Sequence, residues 1–581
     1  MAASTTSQSS LRANENPISP WTEHEPRSNF SNEASEFPEQ SPARVAFEQN
    51  EMEKLKPAMS PLRKAAAFTA MCLSVFIACL EIFVTTTALP KVTEELGASD
   101  SDFVWIGSAY LLLWAAGIPI WAQMSDIFGR KVILGSTIIM FTIGSIIAAS
   151  AESTETLIIG RAIQGVGVGG LTVVINICVV HMYEPRERAF YFGIVGGIAA
   201  LSSAIGPFVG GVLTEKLSWR WCFWIEVPFT TASCIGMLAL LEVEQDRKPL
   251  LEGLKNIDWL GSLAIAGATV MVLVALQFGV SHHPWKSPEV VCLLVLGLVL
   301  FVAFVLIEWR FAPNPLMPLR FFGELPRLAV LLGCFFQALI LTAVTYFIPL
   351  YFQAVLGVSP LMSGVYFLPT TLTLAIMWAS VGHVIKKTGR YVAQIRLGAA
   401  ALLLGTGLLV DTQSYTSWPR IVCSQVVIAI GLGLTYQAPL VALYEVIPKE
   451  DASSGTAAYQ FLKQFGQTIT IAFGQLIIQT RIRTNISALI ADGLPGSVIS
   501  ELQSGRTILS TFDRNLDSHQ LAILRKAFVE ALRTMWIFYT VVAAIAFIIS
   551  FGVPAKKMKS DAAPKEKEKE EKADVHVEET A

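Results

Sequence analysis

The sequence predicts an all-α polytopic membrane protein: two six-helix bundles with two extra transmembrane helices inserted between them. Three observations carry this. Of 581 residues, 53% are hydrophobic and only 15% charged, a balance that no soluble core needs. Apolar runs long enough to span a bilayer, roughly 20 residues each, number about fourteen. Three pairs of related stretches recur at one offset of about 260 residues, the mark of two related halves.

The apolar runs begin near Ala65, Val104, Lys131, Thr156, Arg188, Trp221, Trp259, Val290, Leu328, Leu361, Val392, Ile421, Gly455 and Thr534. The repeat pairs "AQMSDIFGRK" with "GHVIKKTGRY", "EPRERA" with "IPKEDA", and Gly165 and Gly167 with Gly431 and Gly433. Six helices with short loops need roughly 190 residues, and the surplus of about 70 makes two more helices. These fall at 259–280 and 290–309. The expected organisation is a disordered tail (1–64), a six-helix bundle (65–242), two linker helices (243–312), a second bundle (313–554) with an external loop at 484–531, and a second disordered tail (555–581).

Composition narrows the function. A net charge of −3 gives no basis for binding nucleic acid. The eight cysteines all lie in apolar stretches without a CxxC pair, so they read as small buried hydrophobes, with no metal site and no disulfide framework. The first sixty or so residues lack the apolar core of a signal peptide. Loops after even-numbered helices hold roughly three times the Lys and Arg of the others, which places them, and both tails, in the cytoplasm. The long 484–531 loop is then external, and its "NIS" at Asn485 is a glycosylation acceptor. The "NFS" at Asn29 falls on the cytoplasmic side and reads as chance.

Several residues are costly inside a membrane and so point to function. "LIIGRAIQGVGVGG" carries Arg161 among five glycines; a central arginine costs about 2.5–3.5 kcal/mol on insertion scales. The repeat partner "VIAIGLGLTYQ" keeps Gly431 and Gly433 but has Val427 in place of the arginine. Packing is thus shared by both halves and the charge is not. Glu81 in "CLEIFVTTTALP" and Glu226 in "SWRWCFWIEVPF" are intramembrane carboxylates. A carboxylate withdrawn from water holds a proton more readily, so each is a candidate proton carrier. For Glu226 the alternative is an interfacial ion pair with Arg220. Asp126, Gly129 and Arg130 make a tight charged turn able to latch one access state, with Lys131 as a positive-inside anchor. Gly206, Pro207, Gly210 and Gly211 lie inside the fifth helix, where proline removes a backbone bond and glycine lets a neighbour approach. A central cavity is expected to draw on Gln164, Asn176, Trp114, Gln337, Tyr346, Tyr436, Gln437, Lys463 and Gln467.

Taken together, "AQMSDIFGRKVIL", "LIIGRAIQGVGVGG" and "SSAIGPFVGGVL" resemble the loop, fourth-helix and antiporter motifs of the major facilitator superfamily. With about fourteen helices the chain is similar to its drug:proton antiporter branch, and to the fungal toxin and secondary-metabolite efflux pumps within it. The resemblance covers roughly residues 65–554. It implies that Arg161 takes part in proton coupling, Asp126 and Arg130 in gating, and Gly206 and Pro207 in the direction of antiport. Departures are Ala122 and Ser202 where the motifs have Gly, Glu81 for Asp, Glu226 for Asn, and Lys463 where related pumps often have Arg.

The expected function is proton-coupled efflux of small amphipathic organic molecules by a monomer in the cell membrane. No G-x-x-x-x-G-K-[ST] occurs, so no nucleotide or other cofactor is expected, and the proton gradient is the energy source. Two pH units supply about 2.7 kcal/mol and about 120 mV adds roughly 2.8 per charge. The alternative is a siderophore or basic amino-acid antiporter of the plasma or vacuolar membrane; a transport-inactive sensor is more remote. With no HExxH, no nucleophile elbow and only seven scattered His, an enzyme is not expected.

Overall fold

A computed structural model describes residues 60–98, 100–242, 249–281, 285–312, 314–413, 415, 417–448, 451–504 and 516–555. Most of the first predicted tail, with Asn29, and the second tail from residue 556 lie outside the described residues. Within them the chain is helical, without a strand. The long helices are α1 (Pro61–Leu96), α2 (Asp100–Phe128), α3 (Arg130–Ala149), α4 (Thr154–Met182), α5 (Pro185–Lys216), α6 (Glu226–Leu240), α7 (Trp259–Ser281), α8 (Pro288–Arg310), α9 (Leu325–Ala354), α10 (Pro360–Thr388), α11 (Val392–Val410), α12 (Trp418–Tyr436), α13 (Ala452–Thr484) and α14 (Ser518–Ser550).

Thirteen helices among the described residues are long and apolar enough to cross a membrane. The long helix that falls short is α13, whose 33 residues include Lys463, Gln464, Gln467, Thr468, Thr470 and Gln475. Packing against α9, α14, α2 and α7 surrounds it with protein instead of lipid.

The helix pairings expose the repeat. In the first half α1 packs on α5 and α6, α2 on α4, and α3 on α4 and α6. In the second, α9 packs on α13 and α14, α10 on α12, and α11 on α12 and α14. Each second-half pair is a first-half pair moved on by eight helices. The two seams between the halves, α5 on α10 and α2 on α13, are images of each other under the same shift. Helix α7 lies against both α2 and α13, and also carries α8. Exposed Leu298, Val299, Phe301 and Val302 make α8 a lipid-facing helix. The inserted pair therefore flanks one seam.

Local chemistry sets the boundaries. Ser153, Ser287 and Ser359 cap α4, α8 and α10 through their hydroxyls. Proline at i removes a donor and crowds the carbonyl at i−4. Pro228 thereby separates the turn Trp221–Trp224 from α6, and Pro439 separates α12 from its continuation Ala438–Val446.

Twelve helices start within four residues of their predicted places; α6 starts five residues after Trp221, where the separate turn Trp221–Trp224 lies, and α14 starts sixteen residues before Thr534. An Asp517–Gln520 capping box opens it. Its first turns bury Leu524, Ala527, Phe528 and Ala531 on one face while Arg525, Lys526 and Glu530 occupy the others. That amphipathic pattern hides the helix from a search for uniform apolarity. The stretch expected as a loop at 484–531 also contains short helices at Ile486–Ala491 and Gly496–Ser504.

Candidate functional site

Arg161 and Glu81, on α4 and α1, form a buried ion pair in the first half; they are 2% and 0% exposed. Arg161 also donates through Nε to the Ile106 carbonyl at 3.2 Å and through Nη1 to Gln164 Oε1 at 3.0 Å. Its guanidinium lies 4.3 Å from the Tyr110 ring centroid, and Thr85 donates to Glu81 Oε1 at 2.7 Å. A charge in this setting persists only when paired and hydrogen-bonded.

The network continues to Glu226. Gln164 Nε2 donates to Glu226 Oε2 at 3.1 Å and to Ser145 Oγ at 2.9 Å, and Ser145 donates to the same carboxyl oxygen at 2.7 Å. Gln164 thereby links the two acidic residues, accepting from the arginine that pairs with Glu81 and donating to Glu226. Glu226 is 1% exposed, so it faces inward and not toward Arg220. Arg220 instead pairs with Glu95 at 3.7 Å and donates to the Ala151 carbonyl. The helix break at Pro228 makes Glu226 the first residue of α6 and turns it toward α3 and α4. Gln164, expected in a substrate cavity, is the bridge between the charged groups and is fully enclosed.

The α4 glycines let this network form. A Cβ on Gly165 or Gly169 would run into the α2 backbone at Tyr110 or Trp114; one on Gly160 or Gly167 would strike α3 at Ala148 or Phe141. Helix α4 is thus wedged between two backbones, which brings Arg161 within reach of α1 and α2. Gly431 does the same against Leu402 of α11, and Gly433 against Met377 of α10.

A second set of polar residues joins the halves at the face where α1 begins and α14 ends, the terminal face. Asp126 accepts from Ser453 of α13 at 2.6 Å and lies 3.8 Å from Arg130. Between them Gly129 has φ 93°, a backbone setting other residues rarely adopt. Lys131 is partly exposed beside them. Lys386 of α10 pairs with Glu187 of α5 at 2.9 Å. Gln437 donates to the Phe192 carbonyl at 2.7 Å, and Gly193 and Gly382 bring α5 and α10 into backbone contact.

In α5, Gly206 and Gly210 face α1 at Phe83 and Val84, Pro207 lies between them, and Gly211 faces open space. The remaining expected cavity residues divide by place. Trp114 donates to Thr172 at 3.2 Å, and Asn176 donates to the Thr172 carbonyl at 2.8 Å. Tyr346 is 39% exposed on α9 and accepts from Gln475. Tyr436, Lys463 and Gln467 are partly exposed, whereas Gln337 is buried. Asn485 ends α13 and is partly exposed. Ser145, Thr85, Tyr110, Ser453 and Glu187 were not expected at these sites. The repeat offset, which sets Lys386 opposite Asp126, marks where the halves are fastened but singles out none of these five partners.

Two repeated helix bundles, two inserted helices and a buried charge network in one bundle define a polytopic membrane protein of transporter architecture. The chain belongs to the major facilitator superfamily, whose family model matches residues 71–471. It is 37% identical to the MFS-type transporter ppz2 of Metarhizium majus over 84% of each chain. It is 37% identical to the efflux pump dotC of Dothistroma septosporum over 83% of this chain and 82% of that one. Identity to the efflux pump FUS6 of Gibberella moniliformis is 32%, over 85% and 88%. The fold is similar to that of the human organic anion transporter MFSD10 (TM-score 0.56, 12% identity, 85% of this chain and 100% of that one). It is also similar to the proton:xylose symporter XylE (TM-score 0.53, 14% identity, 85% and 96%). These two likenesses concern the fold alone. The protein is a membrane transporter of the kind named efflux pumps among its relatives.

Proposed function

We propose that this protein exports small amphipathic organic molecules, of the secondary-metabolite or toxin class, in exchange for protons. The observation that carries the reading is the Arg161–Glu81–Gln164–Glu226 network. One guanidinium pairs with Glu81 and is joined to Glu226 through Gln164. With one cation and two carboxyl groups, a single bound proton makes the cluster electrically neutral. Loss of it leaves a net negative charge in a buried site, which is relieved when the helices move and Arg161 changes partners. Proton release and helix rearrangement are thereby linked.

By the distribution of Lys and Arg, the terminal face is cytoplasmic. The ties at Asp126–Ser453 and Lys386–Glu187 then hold the cytoplasmic side shut, in a state that exchanges protons and cargo with the outside. The relatives named efflux pumps support export as the direction. The membrane is the cell membrane, with both termini inside.

The test is flux in proteoliposomes of known orientation. An imposed pH gradient drives accumulation of an amphipathic dye, and a protonophore abolishes it. Equal dye movement with and without the gradient removes proton coupling from the reading.

A further inference from the structure

We propose that the space between the two halves contains an anion-selective subsite centred on Lys463, and that the exported molecule places a carboxylate, or an oxygen of similar acidity, there. This rests on the export reading and adds the charge of the cargo.

Lys463 lies roughly 16 Å along α13 from its start, near the middle of a hydrocarbon layer about 30 Å thick. An ammonium at that depth ordinarily has a carboxylate partner. Among the described residues none pairs with it. Its contact is the face of Tyr436, with Nζ 3.6 Å from the ring centroid. Cys334 of α9 donates to the Tyr459 carbonyl one turn before Lys463 on α13, and the Tyr436 ring packs on Trp378, which lies against Gly196 of α5, so Lys463 sits among helices at the seam of the two halves. Lys463, Tyr436 and Gln467 are all partly exposed although they sit mid-span. They border open space.

Two further donors close by lack acceptors. Gln337, one turn beyond Cys334 on α9, is 3% exposed and its Nε2 has no partner among the described residues. Trp378 is 5% exposed and its indole Nε1 likewise has none; its ring centroid is 4.3 Å from that of Tyr436. Buried donors left unpaired are destabilising. Three donors with no acceptor, beside a pair of aromatic rings, select a ligand rich in lone pairs with a flat apolar body. A carboxylate satisfies the donors and neutralises Lys463. A neutral amphipath fills the space but leaves the charge, and a cation is repelled. Arg161 does not serve this subsite, because Glu81 and the Ile106 carbonyl already engage it.

The experiment uses purified full-length protein with 1-pyrenebutyric acid and its methyl ester as probes. Saturable binding is read by fluorescence anisotropy in detergent, and gradient-driven flux in proteoliposomes. The wild type is expected to bind the acid at least about tenfold more tightly than the ester. Lys463→Met removes that preference by weakening the acid while ester binding stays within about twofold, and Lys463→Arg retains it. Ester binding reports folding, and Lys463→Gln serves as a second neutral variant where Lys463→Met fails to fold. A wild-type acid-to-ester ratio in a folded neutral variant overturns the subsite. Acid-selective binding without gradient-driven flux supports the subsite and sinks the export reading. Flux of both probes without acid preference supports export and overturns the subsite.

Discussion

Asp126 and Lys386 occupy equivalent places in the two halves, carry opposite charges, and each ties its own half to the other. Asp126 reaches Ser453 of α13, and Lys386 reaches Glu187 of α5. The repeat thus preserves where the halves are fastened while the chemistry of each fastening differs. Both partners of the Lys386–Glu187 pair are about two-fifths exposed, so its worth is modest, about 0.2–1 kcal/mol. That is still enough to bias two access states of similar free energy.

Charge reversal tests this tie. Lys386→Glu alone, or Glu187→Lys alone, sets like charges against each other and is expected to lower efflux about two- to fivefold. The double exchange is expected to restore most of it. Efflux by single and double variants at equal surface abundance is the measurement. A double variant no better than the worse single one shows that the pair does not act as a unit.

The Arg161–Glu81 pair yields an opposite expectation for stability and for transport. Arg161→Met leaves Glu81 buried without its cation, and breaking such a pair costs about 3–5 kcal/mol. Adding Glu81→Gln removes the stranded charge. The double variant is therefore expected to unfold nearer the wild-type temperature than Arg161→Met, while gradient-driven efflux stays absent. Thermal unfolding of purified protein and flux in vesicles read the two halves of this expectation separately.

The sequence makes the spans legible because membrane thickness alone fixes their length, and α4 legible because Arg161 and its glycines are out of place in lipid. It does not reveal that Arg161 meets Glu81, which is 80 residues away. That contact depends on how far the glycines let α4 approach its neighbours. Glu226 shows the same limit. Arg220 is near in sequence and looks like its partner, but the break at Pro228 turns the two residues apart. The start of helix α14 is hidden in the sequence for a different reason. Its first turns mix Leu524 and Phe528 with Arg525 and Lys526, and burial against protein on one face leaves an amphipathic signal.

The α4 glycines are expected to be intolerant in a position-specific way. Gly165→Ala places a methyl group against the Tyr110 backbone, which cannot give as a flexible side chain does. A loss of at least about 1–3 kcal/mol is expected, seen as reduced yield of folded protein and a lower unfolding temperature. Gly211→Ala, whose added Cβ meets nothing within 4 Å, is expected to fold as well as the wild type. Equal losses at the two positions contradict the wedge geometry.

Glu226 separates proton coupling from cargo movement. Glutamine is nearly isosteric with glutamate, so Glu226→Gln keeps an acceptor for Gln164 Nε2 and Ser145 Oγ while holding no exchangeable proton of the carboxyl kind. The Arg161–Glu81 pair remains, and the remaining cluster is neutral without an added proton. The protein is then free to rearrange at any pH. Gradient-driven accumulation is expected to fall by more than about tenfold, while exchange of labelled for unlabelled dye across the same vesicles continues and is insensitive to pH. Measuring both fluxes on one preparation is decisive. Loss of exchange together with accumulation would mean that Glu226 supports the fold or the cargo path, and persistence of both would move the exchangeable proton to Glu81.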